Sequence, residues 1–143
     1  MPRVASEHES ESPELALARG VLQAFERRDL DWLVERSTPD VELHPLMWTD
    51  KPFRGRSGME AFVEEYLAVR TPLKIDLERV RQAADPMALE VRVRGHLHLS
   101  HADFDEQATF VLWIRDGRLA RYEGHVDPDA IEAAIARSLP GGG

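Results

Sequence analysis

The chain has 143 residues, 43% of them hydrophobic, with 18 basic and 26 acidic side chains and a net charge of -8. That length and apolar content close one core and leave little for a second. Cysteine is absent, which excludes disulfides and thiolate metal sites. No apolar run approaches the roughly 20 residues of a membrane-spanning helix, and a net negative chain without a concentrated basic patch repels nucleic acid and anionic lipid.

Residues 1–12 (MPRVASEHESES) are small, acidic and serine-rich and read as a disordered tail. No charged segment followed by an apolar one opens the chain, so a soluble, cytoplasmic protein is expected. One domain is expected over 13–139, then a flexible glycine tail over 140–143. Ser12-Pro13 is a helix start, the serine oxygen capping free N–H groups and the proline giving up a donor that has no partner there. Ala18, Val21, Leu22 and Phe25 form one stripe of a helix running to about Arg28. Asp29 caps a second, short helix carrying Leu30, Leu33 and Val34, which Pro39 prevents from continuing. DVELHP (Asp40 to Pro45) then reads as a strand that stops at a proline. After a loop over 45–54, Gly55 allows a turn, and Ser57 and Glu60 have capping-box spacing. Met59, Phe62, Val63 and Tyr66 make the inner stripe of a third helix ending before Pro72.

From there the period changes to two. Leu73, Ile75 and Leu77 alternate with polar residues, as do Leu89, Val91, Val93, Leu97 and Leu99. Residues 104–114 form another long strand, and Asp116-Gly117 is a strong hairpin signal leading into 119–126. Asp127-Pro128 starts a final alanine-rich helix. Helices first and a strongly bent antiparallel sheet afterwards make an α+β domain, three helices of the N-terminal half covering the sheet and a C-terminal helix added.

This order of elements, with ERRDLD (26–31), DVELHP, FRGR (53–56), RDGRL (115–119) and EGHVDP (123–128), resembles the SnoaL-like branch of the nuclear transport factor 2-like (NTF2-like) superfamily, over roughly residues 13–137. The resemblance implies a cone-shaped fold with a deep, largely apolar cavity between curled sheet and helices, and a homodimer through the outer sheet face. It implies no single activity, since ketosteroid isomerases, epoxide hydrolases, polyketide cyclases, dehydratases and binding proteins share the scaffold. The isomerases' proton shuttle, an aspartate before the strand-ending proline, is replaced by His44. Their oxyanion donors fall on Val21 and about Phe110, so nothing stabilises an enolate. The hydrolases' carboxylates are missing around Arg92-Val93-Arg94 and Gly124. Dehydratases with paired histidines stay open if a second histidine turns inward.

His44 is therefore the leading candidate acid or base, against the alternative that it bonds the following loop for shape alone. Glu42, two residues earlier, shares its strand face and either orients it or meets solvent. On the long strand Glu106 shares a face with Phe104, Ala108, Phe110, Leu112 and Ile114. A lone carboxylate there faces the wet end of the cavity or lies beyond the covered sheet, the second being preferred. In the first case Glu106 and His44 form an acid and base pair. Trp48, Phe53, Phe62, Tyr66, Phe110, Leu112 and Tyr122 are the candidate walls, each equally readable as plain core, with Arg54 at the mouth. HLHLSHAD (His96 to Asp103) puts His96 and His98 on one outer face but lacks a third ligand, so no metal is expected. The outer patch of Thr109, Val111 and Trp113 is too apolar to leave wet and is the expected dimer contact. The expected function is cofactor-free binding of a small hydrophobic molecule, with acid/base chemistry of isomerase, dehydratase or cyclase type at His44. The alternative is a non-catalytic module with a filled cavity.

Overall fold

The computed structural model of the chain describes residues 12–46, 51–84 and 86–137. Trp48, the C-terminal glycines and, Ser12 apart, the acidic N-terminal segment lie outside them. Helix α1 (Pro13–Arg27) starts as its sequence dictates, Leu15 N–H donating to Ser12 Oγ at 3.1 Å, and stops at Arg28 in a left-handed cap at φ 56. Helix α2 (Leu30–Glu35) is capped by Asp29 through Trp32 N–H. It ends before Pro39 is reached: strand β1 (Ser37–His44) begins at once and carries the proline inside an irregular stretch where its register shifts.

The chain returns as a two-residue strand β2 (Phe53–Arg54), pairing Glu42 with Arg54 and Leu43 with Phe53. Gly55, at φ 66, turns it directly into helix α3 (Gly55–Ala61). The helix thus starts two residues before Ser57, and no side chain caps it, so the expected capping box does not form. It continues as a π-helical turn (Phe62–Leu67) and a 3-10 turn (Ala68–Arg70), burying Met59, Phe62, Val63 and Tyr66 as their spacing predicts.

Strands β3 (Lys74–Gln82), β4 (Met87–Leu97), β5 (Ala102–Arg115) and β6 (Arg118–His125) follow, then helix α4 (Pro128–Ile135), capped by Asp127. Asp116 and Gly117 both take positive φ, 54 and 75, the two-residue hairpin the dipeptide encodes. The sheet order is β2-β1-β6-β5-β4-β3. All pairings are antiparallel except one: β1 lies parallel to β6, Leu43 opposite Tyr122. The antiparallel sheet expected is thus found with one parallel pair in it, β1 and β6 being far apart in the chain and not joined by a hairpin. Side-chain alternation divides the sheet. Val41, Leu43, Leu89, Val91, Val93, Phe110, Leu112 and Tyr122 join α1 and α3 in the main core, whereas Val111 and Trp113 form a second cluster with Ala134 of α4.

Candidate functional site

A cavity of about 140 Å³ lies between the inner sheet face and α1 and α3. Its floor is aromatic and buried. Phe25, Phe62, Phe110 and Tyr122 meet edge to face with centroids 5.0 to 6.3 Å apart, and Phe62 stacks on Tyr66 at 5.4 Å. Its rim is set by the partly exposed Arg70, Leu73, Leu97, Phe104 and Glu106.

Four polar side chains reach this space. Tyr66 Oη donates to the Leu46 carbonyl at 2.6 Å, and the buried Tyr122 hydroxyl meets the same Leu46 backbone. Burial pushes the Tyr66 hydroxyl up to about 12, against the pull of the Arg70 cation, and holds that of Tyr122 well above its ordinary value. Both phenols thus stay protonated and offer hydrogen bonds rather than act as bases. The Arg70 guanidinium lies 3.8 Å over the Tyr66 ring while Nη1 donates to the Tyr66 carbonyl at 2.8 Å. Glu106 is half-buried and lines the cavity, with no hydrogen bond or ion pair among the described residues. The preferred placement of this carboxylate, beyond the covered sheet, is thereby corrected: β5 is long enough to bring it under the helices.

His44 points the other way. Val41 and Leu43 occupy the core, so period-two alternation turns Glu42 and His44 to the outer face, away from the cavity. His44 Nε2 pairs there with Glu42 Oε1 at 2.7 Å, and Arg54 and Arg121 hold the same carboxylate at 3.1 and 2.6 Å. Burial works to raise the Glu42 carboxyl, but His44, Arg121 and Arg54 together keep it below its ordinary value. The network continues through Arg121 to the buried Glu123, which also accepts from His125 at 2.8 Å and Arg137 at 2.9 Å. Against the desolvation penalty, these partners hold Glu123 at about 2.

Of the sequence-predicted residues, Phe62, Tyr66, Glu106, Phe110 and Tyr122 thus converge on the cavity. Phe53 and Leu112 are buried in the core without lining it. Glu42, His44 and Arg54 form a separate outer cluster, so the expected pair of Glu106 and His44 does not form, a sheet's thickness lying between them. Trp48 lies outside the described residues. Arg70 was missed, although it continues the Phe62 and Tyr66 stripe at the next i+4 position.

His96 and His98 face outward, bonded to Asp103 at 2.8 Å and the Thr71 carbonyl at 2.7 Å, and among the described residues no group of three or more potential ligands is arranged to hold a metal. Thr109, Val111 and Trp113 are not a free patch. Ala134 of the chain's own α4 packs on Val111 and Trp113, Trp113 Nε1 donates to the Arg137 carbonyl just after the helix at 2.9 Å, and all three residues are buried within the single chain.

A curled six-stranded sheet with helices enclosing an apolar cavity on one face defines the nuclear transport factor 2-like class of α+β cones. The profile of the SnoaL-like domain matches residues 18–122, and the chain belongs to that family. Among solved structures it is similar to an NTF2-like protein of unknown function from Burkholderia pseudomallei, at 17% identity over 89% of this chain and 100% of that one, TM-score 0.70. It is also similar to RV0760c from Mycobacterium tuberculosis in complex with estradiol-17β-hemisuccinate, at 15% identity over 83% and 97% of the two chains, TM-score 0.69. A third is TerC co-crystallised with polyporic acid, at 18% identity over 88% and 100%, TM-score 0.68. Likeness at such identities establishes the fold and not the activity. A comparison with curated proteins returns no match.

Proposed function

We propose that the chain takes a small, mostly apolar molecule into the cavity beneath α3, and that Glu106, rather than His44, accepts a hydrogen bond or a proton from it. The observation that carries this reading is a carboxylate on an aromatic cavity with no partner among the described residues. Leaving it so is costly unless a ligand or water completes it. Size narrows the ligand. An apolar cavity of about 150 Å³ in another protein accommodates benzene, so about 140 Å³ admits one ring, with anything larger extending past the rim. A ring bearing a hydroxyl or other acidic proton directed at Glu106, in a cavity that Arg70 also lines, fits the polar rim and the aromatic floor. The steroid derivative and polyporic acid held by two structural relatives support a ring-shaped ligand. The reading of a non-catalytic module built for a sheet-face interface has less support, because α4 covers Val111 and Trp113, the apolar part of that face.

The test is titration calorimetry with phenol, 2-naphthol and estradiol on the wild type and Glu106→Gln. A charge-assisted hydrogen bond contributes about 1.5–3 kcal/mol, so the variant should bind a hydroxylated ring about tenfold or more weakly while retaining its unhydroxylated counterpart. Equal affinities in wild type and variant, or no binding of any probe, overturn the proposal.

A further inference from the structure

Two arginine-bearing stretches, FRGR and RDGRL, take no part in the cavity. Folding brings them together at a groove of about 260 Å³, where the starts of β1, α3 and β6 converge. Its floor is apolar, from Val34, Val41 and Met59. Arg56 and Arg118 stand at its sides. Arg118 is exposed and has neither hydrogen bond nor ion pair among the described residues, and Arg56 reaches Glu60 only at 3.8 Å.

Two of the residues that line the groove, Ser37 and Thr38, are 5% and 8% exposed, and their buried hydroxyls have no hydrogen-bond partner among the described residues. Thr38 comes near enough to Asp40 to hold that carboxyl below its ordinary value without closing a bond, so Ser37 is the clearer orphan. Buried polar side chains nearly always find a partner, and one that does not signals a missing one. Two guanidiniums line the same groove, Arg118 without a partner among the described residues and Arg56 held only by a long, exposed pair with Glu60; they state the partner's charge, since the guanidinium fork matches phosphate and carboxylate oxygens. With a chain charge of -8 opposing anions in general, attraction here must come from these local groups.

We propose that this groove binds an organic anion. A phosphate or carboxylate head lies between Arg56 and Arg118 and takes the Ser37 hydroxyl bond, while a short apolar body rests on Val34, Val41 and Met59. The site is separate from the cavity and does not depend on what the cavity holds.

The experiment is calorimetry at low ionic strength, where screening is weakest, with phenyl phosphate, benzoate and inorganic phosphate. Wild type, Arg56→Gln, Arg118→Gln and Ser37→Ala are compared with two controls, Arg92→Gln on the open sheet and Glu106→Gln in the cavity. Saturable binding of phenyl phosphate or benzoate is expected, tighter than that of inorganic phosphate. Each arginine variant should weaken it about tenfold or more, about 1.4 kcal/mol. Ser37→Ala should weaken it less, and the controls should leave it unchanged. Melting curves of the arginine variants should match the wild type, both side chains being exposed. The proposal is overturned if no probe saturates, if Arg92→Gln weakens binding as much as Arg118→Gln, if inorganic phosphate binds as tightly as phenyl phosphate, or if Glu106→Gln alone abolishes binding.

Discussion

Replacing Glu123 by glutamine tests the outer network at its centre. The carboxylate is 3% exposed and accepts from Arg121 at 2.6 Å, His125 at 2.8 Å and Arg137 at 2.9 Å. Those partners draw its pKa from 4.5 to about 2 although burial alone would raise it. At 1.36 kcal/mol per pKa unit, that difference corresponds to about 3 kcal/mol of folding stability. Because the folded value is the lower one, this contribution is fully present above the unfolded carboxyl's 4.5 and is lost as pH falls toward 2. Removing one partner of a buried ion pair costs about 3–5 kcal/mol; the low end applies, since Arg121 retains Glu42 and Arg137 is half-exposed. Urea unfolding followed by tryptophan fluorescence, with Trp113 beside both arginines, should therefore find Glu123→Gln about 3 kcal/mol less stable at pH 7. The gap should close progressively below pH 4.5. A gap of constant size from pH 7 to pH 2 would refute the assignment, because the loss would then be one of shape and not of charge.

Two further substitutions probe the geometry. His44→Ala should leave the affinity for a hydroxylated ring within about twofold of wild type by calorimetry, because the imidazole faces away from the cavity; a tenfold loss would contradict that placement. Gly95→Ala introduces a Cβ 2.6 Å from the Phe104 ring and 2.8 Å from the Arg70 carbonyl oxygen. Such overpacking should cost about 1–3 kcal/mol, seen as a lower midpoint in thermal melts and accompanied by weaker ligand binding as the rim shifts; an unchanged midpoint would mean that β4 and the end of the α3 segment slide apart freely.

What was legible in the sequence was local. Ser12, Asp29 and Asp127 cap helices because a short oxygen one turn before a free N–H needs no distant help. Asp116-Gly117 forms its hairpin for the same reason. The orientation of His44 was equally legible, since Val41 and Leu43 alternate with it inside DVELHP, yet the family position suggested a cavity role that strand parity forbids. Ser57 failed as a cap because β2 runs straight into α3, a consequence of pairing with β1 that no local pattern contains. The fate of Trp113 depended on where α4 docks, and the groove flanked by Arg56 and Arg118 unites segments from three parts of the chain. Such placements are tertiary and leave no periodic trace.

One of the two neighbours of the first strand in the sheet is the last: Arg121 and Glu42, joined at 2.6 Å, are 79 positions apart. During synthesis, then, the edge of β1 that faces β6 keeps its backbone donors unclaimed until residues 118–125 have been made, while its other edge can pair early with β2. Closing so long a loop is entropically slow. Native pairing of β1 with β6 therefore waits on the synthesis of β6, and the interval before it is when the nascent chain has most need of a chaperone.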